Sequence, residues 1–287
     1  GRLADRSGRP ERLLGICHIL AAAVMLVMWR YCTVHEHYDF GILYPLYLLF
    51  LALYMPTMAL ANTTSFGLLA RAGRSPVSAF PTIRIWGTVG FVLAMWLVNS
   101  AYYADGILGF TLSDDIAASH LRFQYTPMQL FCSGMAGIAT ALYTLTLPAM
   151  KHSAGTAASE APRQPLKQSL RALLSRRGVA VFLIFVALSG VCLQISNGFV
   201  TPYITHFAGV VEYAGDPASG NATMLFSLSQ IAEAACVLLV GLALKHKGIR
   251  MVYAVGLLAW ALRFALLGTG NPGGGLWMLV GSMLVYG

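Results

Sequence analysis

Charge is what this sequence lacks most. Of 287 residues only 10% are Asp, Glu, Lys or Arg, against roughly 25% in soluble domains. With 57% hydrophobic residues and a mean hydropathy of +0.67, so few charges cannot cover a water-facing surface. Most of the surface must therefore face lipid, which excludes an ordinary cytosolic enzyme, a disordered chain and a secreted scaffold. Cysteines are scarce as well. Cys17, Cys32, Cys132, Cys192 and Cys236 are odd in number, widely spaced and without a C-x-x-C pair, so neither a disulfide framework nor a zinc site is expected. No G-x-x-x-x-G-K-[ST] loop occurs, which argues against ATP-driven chemistry on this chain. His35, Glu36, His37 and Asp39 are metal-ligand types, but nothing else supports a metal site there. No alternation of period two runs long enough for a barrel.

What is present is a series of apolar runs. A helix needs about 20 apolar residues to cross a bilayer, and such runs fall at about 13–29, 41–70, 77–104, 123–150, 179–205, 221–244, 251–267 and 276–287. The expected fold is all-α: a polytopic membrane helix bundle with seven full spans and one truncated span. Lys and Arg set the orientation. Alternate loops are basic, which places the first segment and 71–76, 151–178 and 245–250 in the cytoplasm. The cytoplasmic segments hold 15 basic and 3 acidic residues and the outer loops 2 and 7. The net charge of +8 is thus a topology signal rather than a nucleic-acid patch.

The loop at 151–178 begins with small and Pro-rich residues and then turns basic. It divides the chain into an N-terminal bundle of four spans (1–150), a cytoplasmic linker (151–178) and a C-terminal bundle of four spans (179–287). Both ends of the chain are abrupt, as in an internal fragment of a longer protein. The opening GRLADRSGR fits G-x-x-x-D-R-x-G-R, a short inner turn in which Gly1 and Gly8 allow tight folding. Asp5, Arg6 and Arg9 can pair there with each other and with helix ends. GLALKHKGIR from Gly241 repeats the glycine spacing six spans later, as a duplicated six-helix unit would.

Charged groups at bilayer depth are costly and mark function by default, and only Arg84, Glu233 and Arg263 lie within the runs. Arg84 is close enough to the cytoplasmic face for snorkelling to be the competing explanation. Glu233 is too deep and too short to snorkel. Arg263 lies toward the outer end of its span and reads as structural. Arg84, Thr88 and Phe91 share one helix face at i, i+4, i+7. Gln194 and Asn197 share another, and Gln230 and Glu233 a third. Interhelical glue would explain any one patch. Three together suit a neutral polyhydroxylated ligand with an aromatic ring: amides donate and accept, a carboxylate accepts from hydroxyls, and Phe91 offers a stacking face.

The segments YMPTMALANTTSF, FPTIRIWGTVGFVLAMW, LQISN, SQIAE and WALRFALLGTGNP, in this order, resemble the bacterial nucleoside:proton symporters of the major facilitator superfamily. The opening turn is similar to that superfamily's motif between its second and third helices. The resemblance implies that the spans are the third to tenth of twelve. It implies that Arg84, Thr88 and Phe91, Gln194 and Asn197, Gln230 and Glu233, and Tyr286 line a nucleoside pocket, with Glu233 a candidate for proton coupling. The implied activity is uptake by alternating access across a bacterial inner membrane. Its partners would be a uridine- or adenosine-like nucleoside, a proton and the bilayer. The implied carrier is monomeric, with no cofactor, no metal, no nucleic acid and no enzymatic activity. The alternatives are a symporter for another hydroxylated solute, such as a sugar or glycoside, and a transport-inactive membrane sensor.

Overall fold

A computed structural model describes residues 9–113, 119–148, 174–213 and 215–286. Helix α1 (Pro10–Val34) starts on a proline, which loses nothing there because the first helical N–H groups have no intrahelical acceptor. Helix α2 (Phe40–Arg71) is N-capped by Asp39, whose carboxylate accepts the Gly41 N–H at 2.7 Å. Helix α3 (Pro76–Ser100) follows a short turn. Helix α4 (Met128–Thr144) completes the first bundle. In the second, α5 (Arg177–His206) leads through a one-turn helix, Pro217–Gly220, into α6 (Ala222–Thr269), and α7 (Leu276–Leu284) ends the described chain.

Six described segments are long and apolar enough to cross a membrane: Pro10–Val34, Phe40–Arg71, Ala79–Ser100, Arg177–Gly209, Ala222–Val240 and His246–Thr269. The last two are the limbs of α6. Gly248 separates them with φ 73° and ψ 166°, a conformation open to glycine and strained for residues with a Cβ. The limbs run back along each other, since Phe226 near the start of the first and Leu267 near the end of the second meet in one core with Leu279.

Small residues bring α1 and α4 together. A methyl group on Gly134 would stand 2.8 Å from Leu26, and one on Gly137 2.9 Å from Ala22. Such close backbone approach supplies the packing that holds membrane helices together, because lipid gives no hydrophobic drive between them. The second bundle packs Val200 and Ile204 of α5, Ala222, Phe226 and Leu267 of α6, and Leu279 and Met283 of α7 into a core that also takes Met95 from α3. Met95 thus docks the first bundle against the second. The exterior keeps Trp86, Leu93, Ile184, Leu188 and Leu258 exposed, a surface suited to lipid.

Two expected spans are shorter than their apolar runs. The run 77–104 leaves the helix at Ser100, and Ala101–Ala104 (β1) pairs antiparallel with Ile107–Phe110 (β2). Asp105 and Gly106 between them have φ 51° and 80°. Two consecutive positive φ values give the hairpin turn that matches strand twist. Among its described residues the run 123–150 yields an α-helix over Met128–Thr144, and Phe123–Tyr125 forms a separate 3-10 turn before it. Residues 1–8 of the opening turn and the linker up to 173 lie outside the described residues, and Arg9 is the N-cap of α1. Among the described residues no group of three His, Cys, Asp or Glu could hold a metal ion. His35 instead stacks on Tyr31 at 4.4 Å, and Asp39 serves as a cap.

Candidate functional site

Arg84 and Glu233 meet across the two bundles. Arg84 Nη2 on α3 donates to Glu233 Oε1 on the first limb of α6 at 3.1 Å. Their side chains are 57% and 30% exposed, so the pair stands in an open crevice between the bundles. Only one guanidinium nitrogen engages the carboxylate. That is weaker than a two-point clamp and leaves Glu233 free to accept from ligand hydroxyls.

Around this pair the second bundle converges on Tyr286. Asn197 of α5 and Gln230 of α6 face its hydroxyl, and the charges of Glu233 and Arg263 act on it. Its ring lies 6.5 Å from that of Phe226 and 6.4 Å from that of Trp260. The Arg263 guanidinium sits over it, 4.2 Å from the ring centre. The Asn197 side-chain oxygen is buried without a hydrogen-bond donor, an unused acceptor beside the tyrosine. Five of the residues singled out by sequence, Arg84, Asn197, Gln230, Glu233 and Tyr286, therefore fall into one constellation. Thr88 and Phe91 lie one and two turns along α3 from Arg84, with Thr88 half-buried and Phe91 exposed. Gln194 is exposed one turn before Asn197 on α5. Among the described residues these three make no hydrogen bond or ring contact with the constellation.

Arg263 and Trp260 were not expected in the site. Arg263 reads from sequence as structural and near the outer end of its span, yet the turn at 270–275 folds α7 back along the second limb of α6 and sets Tyr286 against it. Its i, i+3 spacing from Trp260 was the available signal, since both then share a face.

On the outer side of the crevice a second polar cluster joins the bundles. Asn221, at the head of α6, accepts on its side-chain oxygen from Asn99 Nδ2 at 2.7 Å and from Arg122 Nη1 at 2.9 Å. Its amide nitrogen donates to the Leu112 carbonyl at 2.9 Å and the Pro217 carbonyl at 2.9 Å. The neighbouring Gly220 carbonyl accepts from Gln124, Tyr125 and Arg122 at 3.0, 3.3 and 3.4 Å. Arg122 and Asn99 are fully buried, and Arg122 also lies over the Tyr125 ring at 5.1 Å. Deeper in, Trp96 Nε1 donates to Ser227 Oγ at 2.8 Å. These contacts tie the two bundles together beside the crevice. The Asn221-Ala222-Thr223 triplet matches a glycosylation pattern by sequence, but the asparagine amide is buried and fully engaged.

Comparison with known proteins decides the family. The profile described as Nucleoside H+ symporter matches residues 1–287, the whole chain. The chain belongs to the nucleoside H+ symporter family. Its relatives include the xanthosine permease of Escherichia coli (strain K12), 32% identical over 288 residues, and nucleoside permease NupG of the same organism, 34% identical over 288 residues. In both cases the match takes in 100% of this chain and 62% of the relative; the chain spans less than two thirds of their length. Among solved structures, a mutant form of nucleoside transporter NupG superposes with a TM-score of 0.76 at 31% identity, covering 97% of this chain and 63% of that one. A second NupG structure gives 0.72 at 31% identity, covering 100% and 64%. This member of the symporter family is accordingly a multi-pass, predominantly helical membrane protein with the major facilitator-like arrangement of two bundles.

Proposed function

We propose that the protein of which this chain forms part is a proton-coupled nucleoside symporter, working by alternating access in the bacterial inner membrane. The observation that carries the reading is the inter-bundle constellation of Arg84 and Glu233 with Asn197, Gln230 and Tyr286. A ligand bound between two bundles experiences both, so its contacts can govern their rocking. Vicinal ribose hydroxyls suit Glu233 and the amides, which accept and donate in pairs. The nucleobase is assigned to the aromatic side, with Phe91 and Tyr286 as its stacking candidates.

The coupled proton is assigned to Glu233. Protonation from the outer side neutralises the carboxylate, weakens its hold on Arg84 and converts one oxygen into a donor. Release of nucleoside and proton inside then restores the ion pair and resets the carrier. The outer cluster around Asn221 fits a state closed to the outside, with the crevice open at Arg84 toward the cytoplasm. The preferred nucleoside is uridine- or adenosine-like, and the carrier works as a monomer.

The test is uptake of labelled uridine, adenosine and xanthosine by the full-length protein in proteoliposomes, with and without an inward proton gradient. Accumulation above equilibrium only with the gradient is expected. Uptake indifferent to the gradient removes the coupling, and no uptake of any nucleoside removes the substrate class. The hydroxylated-solute alternative shares the amides and the carboxylate, and is separated by competition. Ribose or a disaccharide displacing nucleoside at equal concentration would favour it.

A further inference from the structure

The site contains one charge that neither substrate nor proton uses in the scheme above. Arg263 is fully buried, and none of its three guanidinium nitrogens meets a hydrogen-bond acceptor among the described residues. Arginine stays ionised in proteins. Burying that charge without acceptors costs several kcal/mol, so stability does not explain its place. What it does contact is aromatic. Its guanidinium carbon stands 4.2 Å from the Tyr286 ring centre and 5.9 Å from that of Trp260. Phe226 closes another side of the same tyrosine. The hydroxyl at the far end of the ring is the group that faces Asn197 and Gln230.

We infer that Arg263 is a positioning residue for nucleoside binding. It lies against Tyr286 and, through the attraction between its flat cation and the ring face, fixes the direction in which the tyrosine points its hydroxyl toward Asn197 and Gln230. Tyr286 is buried, but its apolar contacts with Trp260 and Phe226 are non-directional and do not by themselves select one ring orientation. A buried cation on one face adds an attraction that is lost as soon as the ring turns. Trp260, three residues before Arg263 on the same limb, stands beside both the guanidinium and the tyrosine, 5.9 Å from the one and 6.4 Å from the other. Lysine substitutes for this only in part, because an ammonium provides a point charge and no plane. The inference rests on the site assignment under Proposed function, specifically on Tyr286 touching the ligand.

The experiment is a double-mutant cycle in the full-length transporter. It uses whichever of uridine, adenosine and xanthosine the wild type binds most tightly, with Kd by equilibrium binding and KM and maximal rate by uptake. Arg263→Met is expected to weaken binding about tenfold, near 1.4 kcal/mol, and to raise KM similarly while changing the maximal rate per folded molecule less than twofold. Tyr286→Leu is expected to weaken binding at least as much. The double variant is expected to be no worse than Tyr286→Leu alone, and Arg263→Lys to recover part of the loss. Where Arg263→Met does not reach the membrane, Arg263→Lys is run through the same cycle, and its smaller loss must also vanish in the Tyr286→Leu background. Additive losses overturn the inference, as does normal affinity in Arg263→Met with Tyr286→Leu impaired. Unchanged binding in Tyr286→Leu overturns the site assignment itself and the inference with it.

Discussion

Replacing Asn221 by alanine tests whether the outer cluster holds the transporter closed. One side chain connects the head of α6 to three points of the first bundle: Asn99, Arg122 and the Leu112 carbonyl. A neutral hydrogen bond contributes about 1 kcal/mol net and one to a charged group about 1.5–3 kcal/mol. The Arg122 contact and one neutral contact together are therefore worth about 3 kcal/mol. The Leu112 contact is left out of this sum because the loop that carries it can rehydrate. The bond to Pro217 stays within the second bundle and does not resist opening. About 3 kcal/mol corresponds to a shift of roughly 150-fold in the ratio of closed to open states.

The assay is labelling from outside. In the full-length transporter with Cys17, Cys32, Cys132, Cys192 and Cys236 replaced, a single cysteine is placed at Ser227, which lies behind the cluster and is 1% exposed. A membrane-impermeant maleimide should react with it slowly when Asn221 is present. In the Asn221→Ala background the rate should rise by one to two orders of magnitude, and Arg122→Ala should act in the same direction. An unchanged labelling rate in Asn221→Ala, in protein that still binds nucleoside, refutes the assignment of this cluster as the outer closure.

Glu233→Gln should abolish gradient-driven accumulation while leaving downhill exchange measurable, because the amide cannot take up and release a proton; a variant that still concentrates nucleoside excludes Glu233 as the proton carrier. Tyr286→Phe removes only the hydroxyl facing Asn197 and Gln230, and should weaken nucleoside binding by about 1 kcal/mol, near fivefold, in equilibrium binding. Gly134→Leu drives a side chain into Leu26 of α1 and should cost at least about 1–3 kcal/mol. A lower melting temperature in detergent, or loss of folded protein, is expected; unchanged melting would mean that α1 and α4 do not pack as described.

The membrane helices were legible because lipid enforces a simple rule: a long apolar run in which every backbone group is bonded within the helix. The same rule exposed Arg84, Gln230 and Glu233 as anomalies, and all three stand at one inter-bundle crevice. It misled at the edges. Tyr102, Tyr103 and Phe123 are apolar enough to extend a run, but at an interface aromatic residues serve a hairpin or a 3-10 turn equally well. Asp105-Gly106 was the overlooked signal, being a turn pair that hydropathy does not register. The outer cluster was illegible for a different reason. Arg122 and Asn221 are ordinary polar residues in loops, 99 positions apart, and no periodicity links them. Arg263 fell between the two cases. Its depth was visible, but its contact with Tyr286 depended on how the turn at 270–275 folds α7 back on α6.

The two polar clusters also constrain each other energetically. Moving a carrier from 1:99 to 99:1 between its two states takes about 5.5 kcal/mol of differential binding. A closure worth about 3 kcal/mol per asparagine is therefore within reach of a proton and a nucleoside acting together, and would not be if Asn221, Gln124 and Tyr125 each contributed as much. The geometry is consistent with that ceiling. Gln124, Tyr125 and Arg122 all compete for the one carbonyl of Gly220, two of them at 3.3 Å or longer, so their bonds share an acceptor rather than add. In the crevice the single-point contact between Arg84 and Glu233 is similarly modest. A two-point clamp there would hold the bundles together across the site more firmly than protonation could release. Weak bonds at the closure and within the site are what a carrier needs if its substrate is to decide which side opens.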